Sequence, residues 1–346
     1  MPELVEMSPR LKKLFTKTKL LCFGRYALEV PQEATLSWGS VRGPAPEEVI
    51  TNGAEGRSAR IARDVARIKR EHKTAEIIYE GNGPIDHSAQ LRYFADEYDK
   101  ARNFYIIKTY VGKGDLTFLF LDSKKKGETE AAALSRHTTL VKSMRVSRAD
   151  EVSTEPGYCT HHAFTPNDSY KEQEMVAAGV HFPSLPDITF SVSSNKDAYA
   201  DYPKDEFENE TRRELSLLER IKQAQELQGG DYPVRDVLRE GKHTVQHWKG
   251  EESLFKRADG THDFEWAFVG TPKDVANPSE YGAHLYSKVA HNTVGAATKA
   301  SLTDDEAIAL WDRLLAGLKF RVKVPGAPEG SYYFLPYAKV DAEGKP

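Results

Sequence analysis

The chain has 346 residues, with 48 basic against 52 acidic side chains and a formal net charge of −4. That length suits about two domains, and the near-balanced charge argues against a dedicated nucleic-acid binder or a polybasic membrane-surface protein. No run of about 18 apolar residues occurs, which leaves no candidate for a membrane-spanning helix, and two cysteines are too few for a disulfide scaffold.

Residues 1–19 read as a charged helical lead-in, with Leu11, Leu14 and Phe15 at helical spacing. Arg10, Lys12, Lys13, Lys17 and Lys19 precede only four apolar residues, Leu20 to Phe23, short of the run of about 7–15 that a secretory signal needs. The chain as given therefore reads as carrying no such signal, so it stays in the cytoplasm or depends on a signal upstream. Residues 20–30 read as one strand stopped by Pro31, with residues 36–41 as its partner. Ile61, Val65 and Ile68 predict a helix over 57–72. A short strand at 77–79 leads into the turn Gly81-Asn82-Gly83-Pro84. Residues 104–111 and 116–121 form a hairpin around Gly112-Lys113-Gly114-Asp115, and a helix covers 129–141.

The polar stretch 147–157 marks a boundary. Beyond it, 158–164, 175–182 and 188–192 read as strands, and 206–227 as the longest helix, stopped by Gly229-Gly230. Residues 243–248, 252–255, 264–269 and 283–289 read as an antiparallel run. Thr303 with Glu306 makes a capping box opening a helix to about Leu315, and 318–324 a short basic strand. The fold class is α+β: two domains, 1–152 and 153–330, each a mostly antiparallel sheet with packed helices, and a weakly structured or edge-like tail, 331–346. A loosely shared order of elements raises a tandem duplication as one reading.

The commonest catalytic signatures are missing: no phosphate-cradling Gly-x-x-x-x-Gly-Lys-Ser/Thr loop, no Gly-x-Gly-x-x-Gly dinucleotide turn, no Gly-x-Ser-x-Gly elbow and no His-Glu-x-x-His helix. No cofactor is expected. Cys159 with His161 and His162 is the best metal-like group, but Cys22 is the only other cysteine, so no second ligand pair completes it. On a strand, Cys159 and His161 would face one side and His162 the other. Asp86-His87 reads as a solvated loop, and His243 and His247 as one polar strand face. The acidic stretch 197–214 reads mostly as a solvated helix start, but Tyr199, Asp201, Tyr202 and Asp205 in its aromatic opening are candidates for a protein interface, where tyrosine is favoured. From count alone, the two cysteines are either one bridge in an oxidising compartment or two buried thiols.

Thr18-Lys19-Leu20-Leu21-Cys22-Phe23-Gly24-Arg25-Tyr26-Ala27-Leu28-Glu29-Val30-Pro31 is the most distinctive run in the chain. It resembles the opening of the Tli4-like immunity proteins of bacterial type VI secretion. Glu155-Pro156-Gly157-Tyr158-Cys159 is similar to the Gly-aromatic-Cys that opens their C-terminal domain, and Gly250-Glu251-Glu252 and Leu310-Trp311-Asp312 also fit. The resemblance implies a non-enzymatic antidote that binds and blocks a toxic lipase or phospholipase effector, gripping it between two domains and protecting the producer and its sister cells. It implies no catalytic residues, no cofactor, no nucleic-acid partner and a periplasmic location, where Cys22 and Cys159 would be either disulfide partners or separate oxidised thiols. The competing reading is a hydrolase or metal enzyme with an unfamiliar site around Cys159, His161 and His162. A third is a scaffold without inhibitory role.

Overall fold

The structure, a computed structural model, describes residues 5–71, 73–125, 127–148, 150–197, 215–288 and 299–335. Its contacts form two compact units. One is drawn from Met1–Ser40, Asp150–Pro156 and Asp168–Pro346, the other from Val41–Ala149 and Gly157–Asn167. The architecture is mixed α+β with mostly antiparallel sheets. The expected division at 152/153 divides the chain linearly; the compact units group the first forty residues with the C-terminal part.

The first unit begins with α1 (Pro9–Leu14), β1 (Thr18–Phe23), β2 (Tyr26–Pro31) and β3 (Thr35–Arg42). The single strand expected over 20–30 is thus a hairpin, with Phe23 opposite Tyr26. Gly24 at φ +53° takes the first position of its two-residue turn, where a left-handed conformation suits the twist of the flanking strands. Residues 36–41 do form a strand, but β3 joins a different sheet from the hairpin.

That sheet has seven strands. Beside β3 lie β12 (Glu174–Phe182), β13 (Leu185–Lys196), β17 (Glu280–Ser287), β16 (His262–Val269), β15 (Trp248–Arg257) and β14 (Arg235–Val245). Burial alternates residue by residue along β12, β16 and β17, as period-two side chains require when one face is covered. α6 (Asp304–Ala316) supplies part of that cover: Trp311 packs edge-on against Phe190 and Phe264, at 5.9 and 6.0 Å between ring centroids. Its capping box is present as expected, Thr303 with Glu306. Of the expected helix 206–227, only α5 (Leu217–Gln228) and the two residues before it are described. β1 and β2 continue through β18 (Leu318–Val322) to β19 (Tyr332–Phe334), which pairs parallel to β18 and gives the tail an edge strand.

The second unit is built on a five-stranded antiparallel sheet, four consecutive strands of which form a meander. β4 (Glu48–Ile50) pairs with β8 (Leu116–Ser123), followed by β7 (Ile106–Lys113), β6 (Ser88–Phe94) and β5 (Glu76–Asn82), with the short helix α3 (Glu97–Ala101) between β6 and β7. The hairpin β7–β8 forms as expected, whereas β6 lacks a legible strand signal. α2 (Gly53–Glu71) lays Ile61, Val65 and Ile68 on Leu91, Tyr93, Tyr110 and Leu119. The alternate residues Val111, Phe118 and Phe120 point to the other face, where Val141 of α4 (Glu130–Ser143), Met144 and Ala163 meet them. A small sheet of β9 (Arg145–Val146), β10 (Gly157–Thr160) and β11 (Ala163–Pro166) completes the unit. The strand expected over 158–164 is therefore also a hairpin, turning at His161-His162.

Candidate functional site

Each landmark of the sequence resolves into a specific packing role. In the first unit the turn at Gly24 presents Arg25 to the interior. Its Nε and Nη2 donate to the two oxygens of Glu174 at 2.9 and 2.7 Å, and Nη2 also donates to the Ser169 carbonyl at 3.0 Å. The guanidinium lies 4.4 Å over the Tyr170 ring. Both ends of the ion pair are buried, and a buried charge is tolerated only when paired this fully. Tyr26, next in the chain, stacks between Tyr281 (4.7 Å) and Phe320 (5.0 Å), with its hydroxyl 2.9 Å from Ser194 Oγ. Burial pushes its phenol well above the ordinary value.

Two further landmarks, far apart in sequence, meet. Glu252 on β15 accepts from Arg239 Nε (2.7 Å) and Nη2 (3.1 Å), from Trp311 Nε1 (3.1 Å) and lies 2.6 Å from His243 Nδ1. Arg239 also reaches Asp312 on α6, at 3.0 and 2.5 Å. Burial opposes ionisation of Glu252, but the bonds from His243, Arg239 and Trp311 prevail and hold its pKa below the usual value. The ligand atoms of His243, Glu252 and Asp312 lie within 4.8 Å of one another, a spacing that suits a cation. Arg239 already supplies that positive charge to both carboxylates, so the group reads as an ion-pair clasp between β14, β15 and α6. The sequence pattern names Glu252, Trp311 and Asp312; Arg239 and Glu174 carry no local signal, because their partners are remote in sequence.

His243 and His247 do not share a strand face. β14 ends at Val245, Gln246 takes φ +53° in the turn, and His247 Nε2 donates to the Ala276 carbonyl at 2.8 Å.

In the second unit, Gly157 opens β10 where a Cβ would meet Phe164 Cζ at 2.3 Å and Thr165 O at 2.6 Å. Only glycine lets the two strands pair there. His161 and His162 form the turn, their ring centroids 4.1 Å apart, with His162 at φ +56°. Burial, then the His162 ring, lowers the His161 pKa. The strand geometry expected for Cys159, His161 and His162 is therefore replaced by a hairpin tip. Neither cysteine is a free thiol, so Cys159 does not offer the thiolate that a metal or nucleophile reading needs. Asp86-His87 lies in a turn, where the His87 carbonyl accepts from Gly112 N (2.9 Å) and Arg57 Nη1 (3.0 Å). Tyr199, Asp201, Tyr202 and Asp205 lie outside the described residues.

The second unit also holds a group the sequence does not announce. Thr109 Oγ1 lies 2.8 Å from His137 Nε2, and His137 Nδ1 lies 3.3 Å from Asp122 Oδ2. The order hydroxyl, imidazole, carboxylate is that of a hydrolase triad. Yet Thr109 and His137 are fully buried, and Gln90 donates to the same hydroxyl at 3.1 Å. The relay ties α4 to β6, β7 and β8, and buries the hydroxyl that a substrate would have to reach.

Comparison with known proteins gives two matches along the chain. The Tle cognate immunity protein 4 N-terminal domain matches residues 19–155, and the C-terminal domain of the same description matches residues 151–323. No curated protein matches by sequence. Among solved structures, the apo immunity protein TplEi of the type VI secretion system (T6SS) of Pseudomonas aeruginosa is similar at TM-score 0.62 and 23% identity, over 88% of this chain and 98% of that one. The same protein complexed with "L" peptide gives 0.61 and 23%, over 88% and 99%. A chain of the Tle4–Tli4 complex gives 0.63 and 24%, over 88% and 98%. At these identities the likeness is one of fold.

Proposed function

This chain belongs to the Tle cognate immunity protein 4 family, and we propose that it is a non-catalytic antidote that binds and inhibits a type VI secretion lipase or phospholipase effector. The observation that carries this is the continuous cover of residues 19–323 by the family's two domains. The motifs behind the resemblance are built into the fold: Arg25 in a buried ion pair, Gly157 in a close strand pairing, and Glu252, Trp311 and Asp312 in one clasp. The nearest thing to a catalytic constellation, Thr109–His137–Asp122, is sealed inside a unit, which supports a binding role over a hydrolytic one. The reading places the protein in the periplasm of the producer, in keeping with two cysteines neither of which is free, as an oxidising compartment favours.

The test uses the full chain and the lipase encoded beside its gene. Calorimetry should show a tight complex, and lipase activity on phospholipid vesicles should fall as the chain approaches one equivalent. No binding together with undiminished lipase activity would sink the reading.

A further inference from the structure

α2 covers one face of the five-stranded sheet, and its opposite side is solvent. At 100° per residue that outer side collects Ala59, Ala62, Arg63, Ala66, Lys69 and Arg70, all of them exposed. Other cations of the helix are already engaged. Arg57 donates to the His87 carbonyl, Arg60 is bonded to Glu48 and Asp64, and Arg67, at the margin, reaches Asp64 at 3.3 Å. Arg70 meets only its neighbour Glu71, at 3.4 Å with both side chains largely exposed, a pair of little energetic weight. Among the described residues, neither Arg63 nor Lys69 has an acidic partner. A chain of net charge −4 thus presents one helix face with three cations whose one acidic partner among the described residues is Glu71 at its edge.

We propose that this outer face of α2 docks an acidic surface of the cognate effector, a proposal that rests on the immunity reading above. Arginine binds carboxylates in a planar, two-bond fork, so Arg63 and Arg70, two turns apart on one line, suit a row of acidic side chains. The intervening alanines keep the surface low, which lets a partner backbone approach. Unpaired exposed cations add nothing to folding; their effect is on encounter, because a concentrated field steers an oppositely charged partner and raises its association rate. A membrane is the poorer fit, since an interfacial helix needs large apolar anchors and the apolar residues of this face are alanines.

The experiment compares the wild-type chain with Arg63→Glu/Lys69→Glu/Arg70→Glu, and with Arg63→Gln/Lys69→Gln/Arg70→Gln. Surface plasmon resonance reads association with the purified effector at about 50 mM and about 500 mM salt, where screening is weak and then nearly complete. The wild-type rate should fall with salt. The glutamate variant should associate about ten-fold more slowly at low salt, with a flatter salt dependence, and the glutamine variant should lie between. All three should melt at closely similar temperatures. If the variants associate like the wild type at both salts, the inference is wrong while the immunity reading stands; if the wild type itself does not bind, both fall. Sedimentation with vesicles of phosphatidylcholine and phosphatidylglycerol is run alongside. Vesicle binding lost in the glutamate variant, with effector association unchanged, would assign the face to anionic lipid and overturn the proposal.

Discussion

Arg25 and Glu174 stand 149 residues apart in the chain and face each other through two bonds of 2.9 and 2.7 Å, with side chains only 3% and 6% exposed. The pair joins the turn of the β1–β2 hairpin to the first residue of β12. It also explains why the sequence runs Gly-Arg-Tyr: glycine makes the turn, arginine the buried ion pair, and tyrosine the aromatic stack.

Removing one partner should therefore cost far more than removing both. Arg25→Met strips the buried Glu174 carboxylate of both guanidinium bonds and should destabilise by about 3–5 kcal/mol. Arg25→Met/Glu174→Leu should recover much of that loss. Urea unfolding of the two variants and the parent checks the order, and equal losses in both would contradict it.

Gly157→Ala should destabilise by about 1–3 kcal/mol, since the added methyl meets Phe164 and the Thr165 carbonyl inside van der Waals distance. Phe164→Leu in the same background shortens the offending ring and should restore part of the loss, read as a melting temperature in a thermal scan.

Acid should unfold the clasp around Glu252. Its folded-state pKa is depressed, as are those of Asp64, Asp122 and Asp304. A depressed carboxylate contributes stability that is complete above its unfolded value, about 4.3 for glutamate, and is lost as pH falls through the folded value. Melting temperature should sag gently below about pH 6.5, where His161 and His247, both with folded-state pKa values lowered by burial, take up a proton more readily unfolded than folded, and should drop steeply below about pH 5 as the depressed carboxylates are protonated. Glu252→Gln should lower stability at neutral pH and make the acid limb shallower. An unchanged limb would mean that other carboxylates carry it.

Both cysteines should resist thiol reagents until reduced, because neither is free. Ellman's reagent on denatured, unreduced protein should find no thiol, and after dithiothreitol it should find two. Non-reducing peptide mapping should give a Cys22–Cys159 pair, since these are the chain's two cysteines and both are bonded. A covalent dimer on a non-reducing gel would instead assign the bridges between chains.

Features that depend on a few neighbouring residues were readable in advance. The β7–β8 hairpin follows from its Gly-Lys-Gly-Asp turn, α2 from the spacing of Ile61, Val65 and Ile68, and the start of α6 from Thr303 and Glu306. Their physics is short-range: a positive φ, a 3.6-residue period, a side chain reaching a backbone amide three residues on. Two apparent single strands proved to be hairpins, because a strand that doubles back through a two-residue turn keeps an apolar run almost unbroken, and only the φ values at Gly24 and His162 mark the reversal.

What tertiary structure alone decided is which distant groups pair. The order β14-β15-β16-β17-β13-β12-β3, the grouping of the first forty residues with the C-terminal part, Arg25 with Glu174, and Arg239 with Asp312 all join residues remote in the chain. Alternating strands carry the same two-residue period whatever they pair with, and an arginine reads alike whether it ends in solvent, as Arg63 does, or in a buried ion pair, as Arg25 does. The periodicity of this sequence determined its elements; the closing of sheets over one another, and the cost of leaving a buried charge unpaired, determined its partners.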